Sequence, residues 1–196
     1  MANVNSPFGF QLFEDNSLTP LEVCFMSDAT ATFVGDAVKT AGSAGNTTGN
    51  PRKKTVAQCA ATDPIYGIVQ GFCPAMVATG MDLGKRYRKA NESMYVMIKP
   101  ANHQDIYRIQ SDDDGGVLAD VDIGLNADII VGAGNTTTGQ SAMQVDTSTK
   151  ATTAGLQVKI IGYDLRPSNE LNVANQKILV RINQSELGND LGTVGV

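Results

Sequence analysis

Apolar residues in this chain come in short runs of strand length, several alternating with a period of two, and polar stretches rich in Gly, Asn, Ser and Thr separate them. The runs are 21–27 (LEVCFMS), 54–60 (KTVAQCA), 65–73 (IYGIVQGFC), 94–99 (MYVMIK), 105–110 (DIYRIQ), 156–163 (LQVKIIGY) and 177–183 (KILVRIN). In the last of these, Ile178, Val180 and Ile182 fall on one side, and Leu179, Arg181 and Asn183 on the other. One buried and one wetter face require that pattern, which belongs to antiparallel sheet. Shorter candidates near 36–40, 123–130 and 142–146 bring the expected total to about ten strands, at the spacing of a sandwich or barrel. Composition agrees: 20 Gly and 17 Thr beside only 5 Glu disfavour a helical bundle. The expected fold is mainly β: an antiparallel sandwich or barrel, jelly-roll-like, with an extended N-terminal arm and long polar loops.

Three low-complexity stretches read as those loops: 41–50 (AGSAGNTTGN), 132–141 (GAGNTTTGQS, through Ser141) and 146–155 (DTSTKATTAG). The first two share GNTT but show no fixed period, so a solenoid is not indicated. Residues 1–20 carry Phe8, Phe10, Leu12 and Phe13 among Asn, Ser and Pro, too punctuated for a domain of their own. They read as an arm that either folds back on its own core or docks on a neighbour. Residues 21–187 then form a single β domain, and 188–196 a loose tail or a further docking strand.

Charge and rare residues remove several function classes. A net charge of −5 opposes general affinity for the nucleic-acid backbone, so no nucleic-acid partner is expected. No run approaches the roughly 20 apolar residues of a membrane span, and MANVNSPFGFQ has no signal core, so a soluble protein made in a cytosol is expected. Cys24, Cys59 and Cys73 are widely spaced and odd in number, which fits small core hydrophobes better than disulfides or a zinc ribbon. With His103 the only histidine, a site needing two imidazoles in one chain is excluded. Asn46, Asn91, Asn135 and Asn183 head N-x-S/T sequences, which carry no meaning without secretion.

Each motif that could carry chemistry falls short. GMDLGKR (80–86) is one residue too short for a phosphate loop, and Arg86 stands where Ser or Thr would bind magnesium. GQSAM (139–143) lacks the second Gly of a nucleophile elbow. Asp112, Asp113 and Asp114, followed by Gly115, Gly116, Asp120 and Asp122, miss the helix-loop-helix calcium spacing and read first as a solvated hairpin turn, with a non-standard calcium loop as the alternative. Lys85, Arg86, Arg88 and Lys89, with Tyr87 among them, and Arg52, Lys53 and Lys54 are the two concentrations of positive charge. They read as a solvated strand edge or as a surface steering an acidic protein partner. No enzyme activity and no cofactor or metal is called for.

The arrangement of short motifs resembles the capsid cement, or decoration, proteins of tailed bacteriophages. The opening MANVNSPFGFQ leads to Pro7, Phe8, Gly9 and Phe10, GDAVKTAGSAG follows at 35–45, and Asp63-Pro64-Ile65-Tyr66-Gly67-Ile68-Val69 comes next. Tyr107-Arg108-Ile109-Gln110 and the closing Val180-Arg181-Ile182-Asn183 with Glu186-Leu187 complete the order, over roughly residues 1–188. The chain departs from the pattern in its extra C-terminal GNDLGTVGV. The resemblance implies a β-rich virion protein, often a homotrimer, bound to the major capsid protein on the outer surface of the shell between capsomers. Under that reading Asn3, Val4, Phe8, Phe10 and Phe13 of the arm, and Arg86, Tyr87 and Arg88 of the basic cluster, are the expected capsid contacts. Deleting residues 2–12 is then expected to abolish decoration and leave the fold intact. Two other classes stay open: a phage module binding a host surface or glycan, and an enzyme with a site between subunits using Asp63, Asp105 or His103.

Overall fold

Every one of the seven strand-length runs forms a strand in the computed structural model, which describes residues 3–46, 52–73, 75–77, 80–82, 84–188 and 195. The first strands are β1 (Gln11–Glu14), β2 (Glu22–Met26), β3 (Thr32–Phe33), β4 (Ala37–Gly45), β5 (Lys53–Gln58) and β6 (Gly67–Phe72). Next come β7 (Ala75–Val77), β8 (Gly80–Asp82), β9 (Tyr87–Arg88), β10 (Met94–Pro100) and β11 (Ile106–Gln110). The last are β12 (Asn126–Ala127), β13 (Ile129–Ile130), β14 (Gln144–Val145), β15 (Val158–Tyr163) and β16 (Lys177–Ile182). The chain is therefore mainly β, as its alternation demands.

Two assemblies of strands carry the architecture. One is a closed barrel in the order β10-β2-β5-β4-β6, and the other a five-stranded sheet in the order β1-β11-β16-β15-β12. The sheet is antiparallel throughout, but in the barrel β2 and β5 run parallel, with Phe25 opposite Thr55. A closed ring of five strands cannot alternate direction all the way round, so closure itself requires one such pair.

Period two decides which side each residue serves. Val38 and Val69 join Val96 and Met26 inside the barrel, while their neighbours Ala37 and Ile68 lie in the second core. There they meet the inner face of the sheet, Tyr107, Ile109, Ile178, Val180 and Ile182, all buried. The KILVRIN alternation holds for these isoleucines and for exposed Arg181. Asn183 departs from it: its side chain is buried and its Nδ2 donates to the carbonyls of Ala154 and Leu156, both at 2.9 Å. Cys24 and Cys59 are buried free thiols, and burial pushes the Cys24 thiol up to about 11, so it packs as a hydrophobe.

Three expectations for the connections are corrected. Residues 41–45 are not loop but the end of β4, which rejoins β5 at Ala44 opposite Lys54 after a register jump; residues 47–50 of that stretch lie outside the described residues. The acidic run is not a hairpin turn, because β11 pairs with β1 and β16 and not with β12, the next strand, which pairs with β15. The 146–155 stretch holds a short 3-10 helix, Thr147–Thr149, capped by Asp146 accepting from the Ser148 N–H at 2.9 Å. The tail expected at 188–196 lies outside the described residues apart from Gly188 and Gly195, whose N–H donates to the Thr152 carbonyl at 3.0 Å.

A buried carboxyl sits where β3 turns into β4. Asp36 Oδ2 accepts from the Phe33 N–H at 2.9 Å and from Gln58 Nε2 at 2.8 Å. Burial disfavours its charged form and pushes its pKa up to about 6, with hydrogen bonds from Ser141, Phe33 and Gln58 offsetting part of that cost. Below the ordinary value of 3.8 the folded and unfolded chains are both protonated here. Between that value and about pH 6 the unfolded chain ionises first, so this group withdraws stability as pH rises, by about 3 kcal/mol once both states are charged. Asp36→Asn keeps an oxygen for both donors, so it is expected to raise stability at pH 7 and not at pH 3.5. Urea unfolding at the two pH values checks this, and an equal effect at both would refute it.

Candidate functional site

Residues 3–14 lie along the molecule they belong to. Asn3 forms a two-way clasp with the Glu170 backbone: its Nδ2 donates to the carbonyl at 2.8 Å and its Oδ1 accepts from the N–H at 2.9 Å. Buried Gln110 holds the next turn, accepting from the Ser6 N–H at 3.2 Å and donating to the Val4 carbonyl at 3.0 Å. Gly9 then passes against Gly35 and Ser141 with φ +68, where a Cβ would stand 2.5 Å from the Gly35 carbonyl oxygen. Only glycine fits that approach. Phe10 follows, its N–H on the Gly35 carbonyl at 2.9 Å and its ring edge-on to Tyr107 at 5.9 Å.

The arm therefore folds back on its own core, the first of the two possibilities its sequence allows, and this revises the set of expected contacts. Phe10 is 2% exposed and belongs to the core, so it presents no surface to a partner. Val4 at 77%, Phe13 at 42% and Leu18 at 82% are the large open apolar side chains of the arm among the described residues. Phe8 is half-buried, with the Arg108 guanidinium 5.5 Å from its ring centre. Because β1 ends the sheet, no strand among the described residues pairs with its outer side.

The basic cluster is also divided. Strand β9 pairs with β3, placing Tyr87 flat against Phe33, with ring centres 5.2 Å apart and planes 8° from parallel. The next side chain points the other way, and Arg88 is fully buried. Its guanidinium pairs with the Asp28 carboxylate and donates to the Thr30 carbonyl, to the Glu92 carbonyl at 2.8 Å and to the Asp28 carbonyl at 3.1 Å. Arg88 is thus a structural residue and not a surface contact. Lys85 is paired with Glu92 at 2.6 Å. Of the expected contacts in this cluster, Arg86 is exposed and reaches the Thr137 carbonyl at 2.8 Å, beside half-buried Tyr87.

The remaining candidates are spread apart. Asp63 pairs with Lys39 at 2.7 Å; burial would raise its carboxyl, but the lysine and the Ala60 N–H hold it below the ordinary carboxylate value. Asp105 is buried and accepts from the N–H and hydroxyl of Ser17, both at 2.8 Å, fixing the turn after β1. Asp112 and Asp114 meet Asp146, with one oxygen from each within 4.8 Å of the others, whereas Asp122 pairs with Lys150. Burial, with Asp114 and Asp146 nearby, raises the Asp112 carboxyl above its ordinary value. Comparison with protein-family models, with curated proteins and with solved structures finds no match to this chain.

The sequence reading missed one surface. Gln11, Arg108, Gln110, Lys177 and Leu179 share the outer face of the sheet, by the cross-strand partners Gln11–Arg108, Arg108–Leu179 and Gln110–Lys177. Arm residues 3–8 and the 166–170 turn stand across that face and enclose a cleft of about 780 Å³. The alternation of YRIQ and KILVRIN carried the signal, since both runs place their polar residues opposite the core.

Proposed function

We propose that this chain is a virion structural protein that binds the major capsid protein on the outer surface of a phage head, between capsomers, and strengthens the shell. Support comes from the ordered resemblance to capsid cement proteins over residues 1–188. The structural observation that carries it is β1, an edge strand at the end of an arm whose Val4 and Phe13 are open to solvent. An edge strand can accept a partner's strand through main-chain hydrogen bonds, with alternate side chains supplying selectivity. Here the edge is four residues long, has a register shift between Leu12 and Glu14, and carries a charge, features that discourage indiscriminate pairing before docking. A homotrimer at a threefold position would present three such edges, and each engaged edge raises the effective concentration of the next.

Cryo-electron microscopy of the source particle, with mass spectrometry of its copy number, tests this. Many copies per virion and density at capsomer junctions are expected, and Phe13→Asp is expected to lower occupancy on expanded capsids by about tenfold or more without changing the melting temperature. A scarce protein located at the tail tip or fibres would overturn the cement reading in favour of host recognition.

A further inference from the structure

The cleft on the outer face of the sheet concentrates positive charge on a chain whose net charge is −5. Arg108, Arg166 and Lys177 line it against one carboxylate, Glu170. Asp164, nearly buried, holds the two guanidiniums from beside, 3.1 Å from Arg108 Nη1 and 3.5 Å from Arg166 Nε. Arg108 is fixed further by Gln11 at its other end and by Phe8 beneath, and its buried Nε has no acceptor. Arg166 remains half-exposed, and the Lys177 ammonium makes no ion pair among the described residues. Two cations therefore face open space beside a third that is already oriented.

We propose that this cleft binds an acidic peptide segment, a carboxylate side chain meeting Arg166 and Lys177 while an adjacent aliphatic side chain lies on Val4, Phe8 and Pro167. A carboxylate is the planar acceptor that a guanidinium matches with two parallel hydrogen bonds, and an ammonium adds a second charge without a directional demand. Ser168 and Gln140 in the lining offer hydroxyl and amide groups suited to a peptide backbone. Nucleic acid fits less well: Glu170 lines the wall, and the one aromatic ring, Phe8, already carries a guanidinium on one side, where base stacking needs an open ring. The volume lies within the range of clefts that take small ligands and short segments. This inference goes beyond capsid docking and does not depend on it, because the charge and the geometry belong to the isolated chain.

The test uses the full-length protein and an array of hexapeptides carrying Asp or Glu at one central position, each paired with its Asn or Gln counterpart. Acidic members with an aliphatic neighbour are expected to bind, and to weaken by about tenfold on amidation of the central carboxylate. Arg166→Gln and Lys177→Gln should each weaken the same peptides by about tenfold while leaving the melting temperature in place, since neither group is buried. In ¹H–¹⁵N spectra the Arg108 and Arg166 Nε–H signals should move on titration. Selection of neutral peptides, or binding indifferent to both variants, would overturn the proposal. So would a sulfated oligosaccharide or inorganic phosphate binding with the same sensitivity to both variants while no acidic peptide binds, since that result assigns the cleft to another anion.

Discussion

Arg88→Ala is expected to cost about 3–5 kcal/mol of folding stability, whereas Arg86→Ala, two residues earlier, should cost less than about 1 kcal/mol. The contrast follows from burial, since Arg86 lies outside the strand that turns Arg88 inward. Arg86 precedes β9 and stands in solvent, while Arg88 turns inward and is fully buried. Its guanidinium ties three separate pieces of chain together: the Asp28–Thr30 turn through a carboxylate and two carbonyls, Thr32 on β3 at 3.3 Å, and the Glu92 carbonyl. Alanine would take a donor from the Thr30 and Glu92 carbonyls and from Thr32, and the half-buried Asp28 carboxylate left without its guanidinium is the costliest loss. Arg88→Lys should recover little, because three donors on a point-like ammonium cannot span a planar fork. Urea denaturation of the three variants decides it; an Arg88→Ala protein within 1 kcal/mol of the parent would show that these turns hold themselves. The consequence for function is direct. Loss of docking in an Arg88 variant would report unfolding, so Arg86 is the position at which the basic cluster has to be probed.

How far the sequence revealed this molecule depends on which physical term sets each feature. Alternation in KILVRIN marked the inner and outer faces of β16 as far as Ile182, Asn183 being the exception, because a half-buried strand leaves its pattern in one contiguous segment. The same local logic could not place Arg88. A Lys-Arg-Tyr-Arg-Lys run looks solvated from its own composition, and only Asp28 and Glu92, brought in by β3 and the turn after β9, make burial tolerable. Gly, Ser and Ala at 41–45 read as loop from propensity, yet pairing with Lys53 and Lys54 supplies the hydrogen bonds that keep them in β4. Tertiary partners also separated Asp122 from Asp112 and replaced it with Asp146, from a loop more than 30 residues later. The outer-face cleft was legible in its floor and invisible in its walls. Arg108 and Lys177 follow from strand parity, but Asn3 clasping Glu170 joins segments 167 residues apart, and no local pattern records that.

Phe10→Ala is expected to cost about 3–5 kcal/mol, while Phe8→Ala should cost about 1 kcal/mol and leave the core intact. The two phenylalanines are separated by Gly9, whose positive φ sends Phe8 to the outer face over Arg108 and Phe10 inward against Tyr107. Truncating Phe10 opens a cavity beside Tyr107 and removes the anchor that carries the arm into β1, so β1 should detach from β11. The same reasoning corrects the expectation that residues 2–12 can be deleted without harm: the deletion takes Phe10 and half of β1 with it. Thermal unfolding and limited proteolysis separate the outcomes. In the Phe10→Ala protein the melting temperature should fall by about 6–20 °C and cleavage should begin within the arm, whereas the Phe8→Ala arm should stay resistant. If Phe10→Ala instead keeps parental stability and a protected arm, the arm is held by the Asn3 clasp and Gln110 alone. An arm that needs its own core to stay ordered is a rigid edge and not a free tether, so a partner strand would find β1 already in place and would not have to order it on binding.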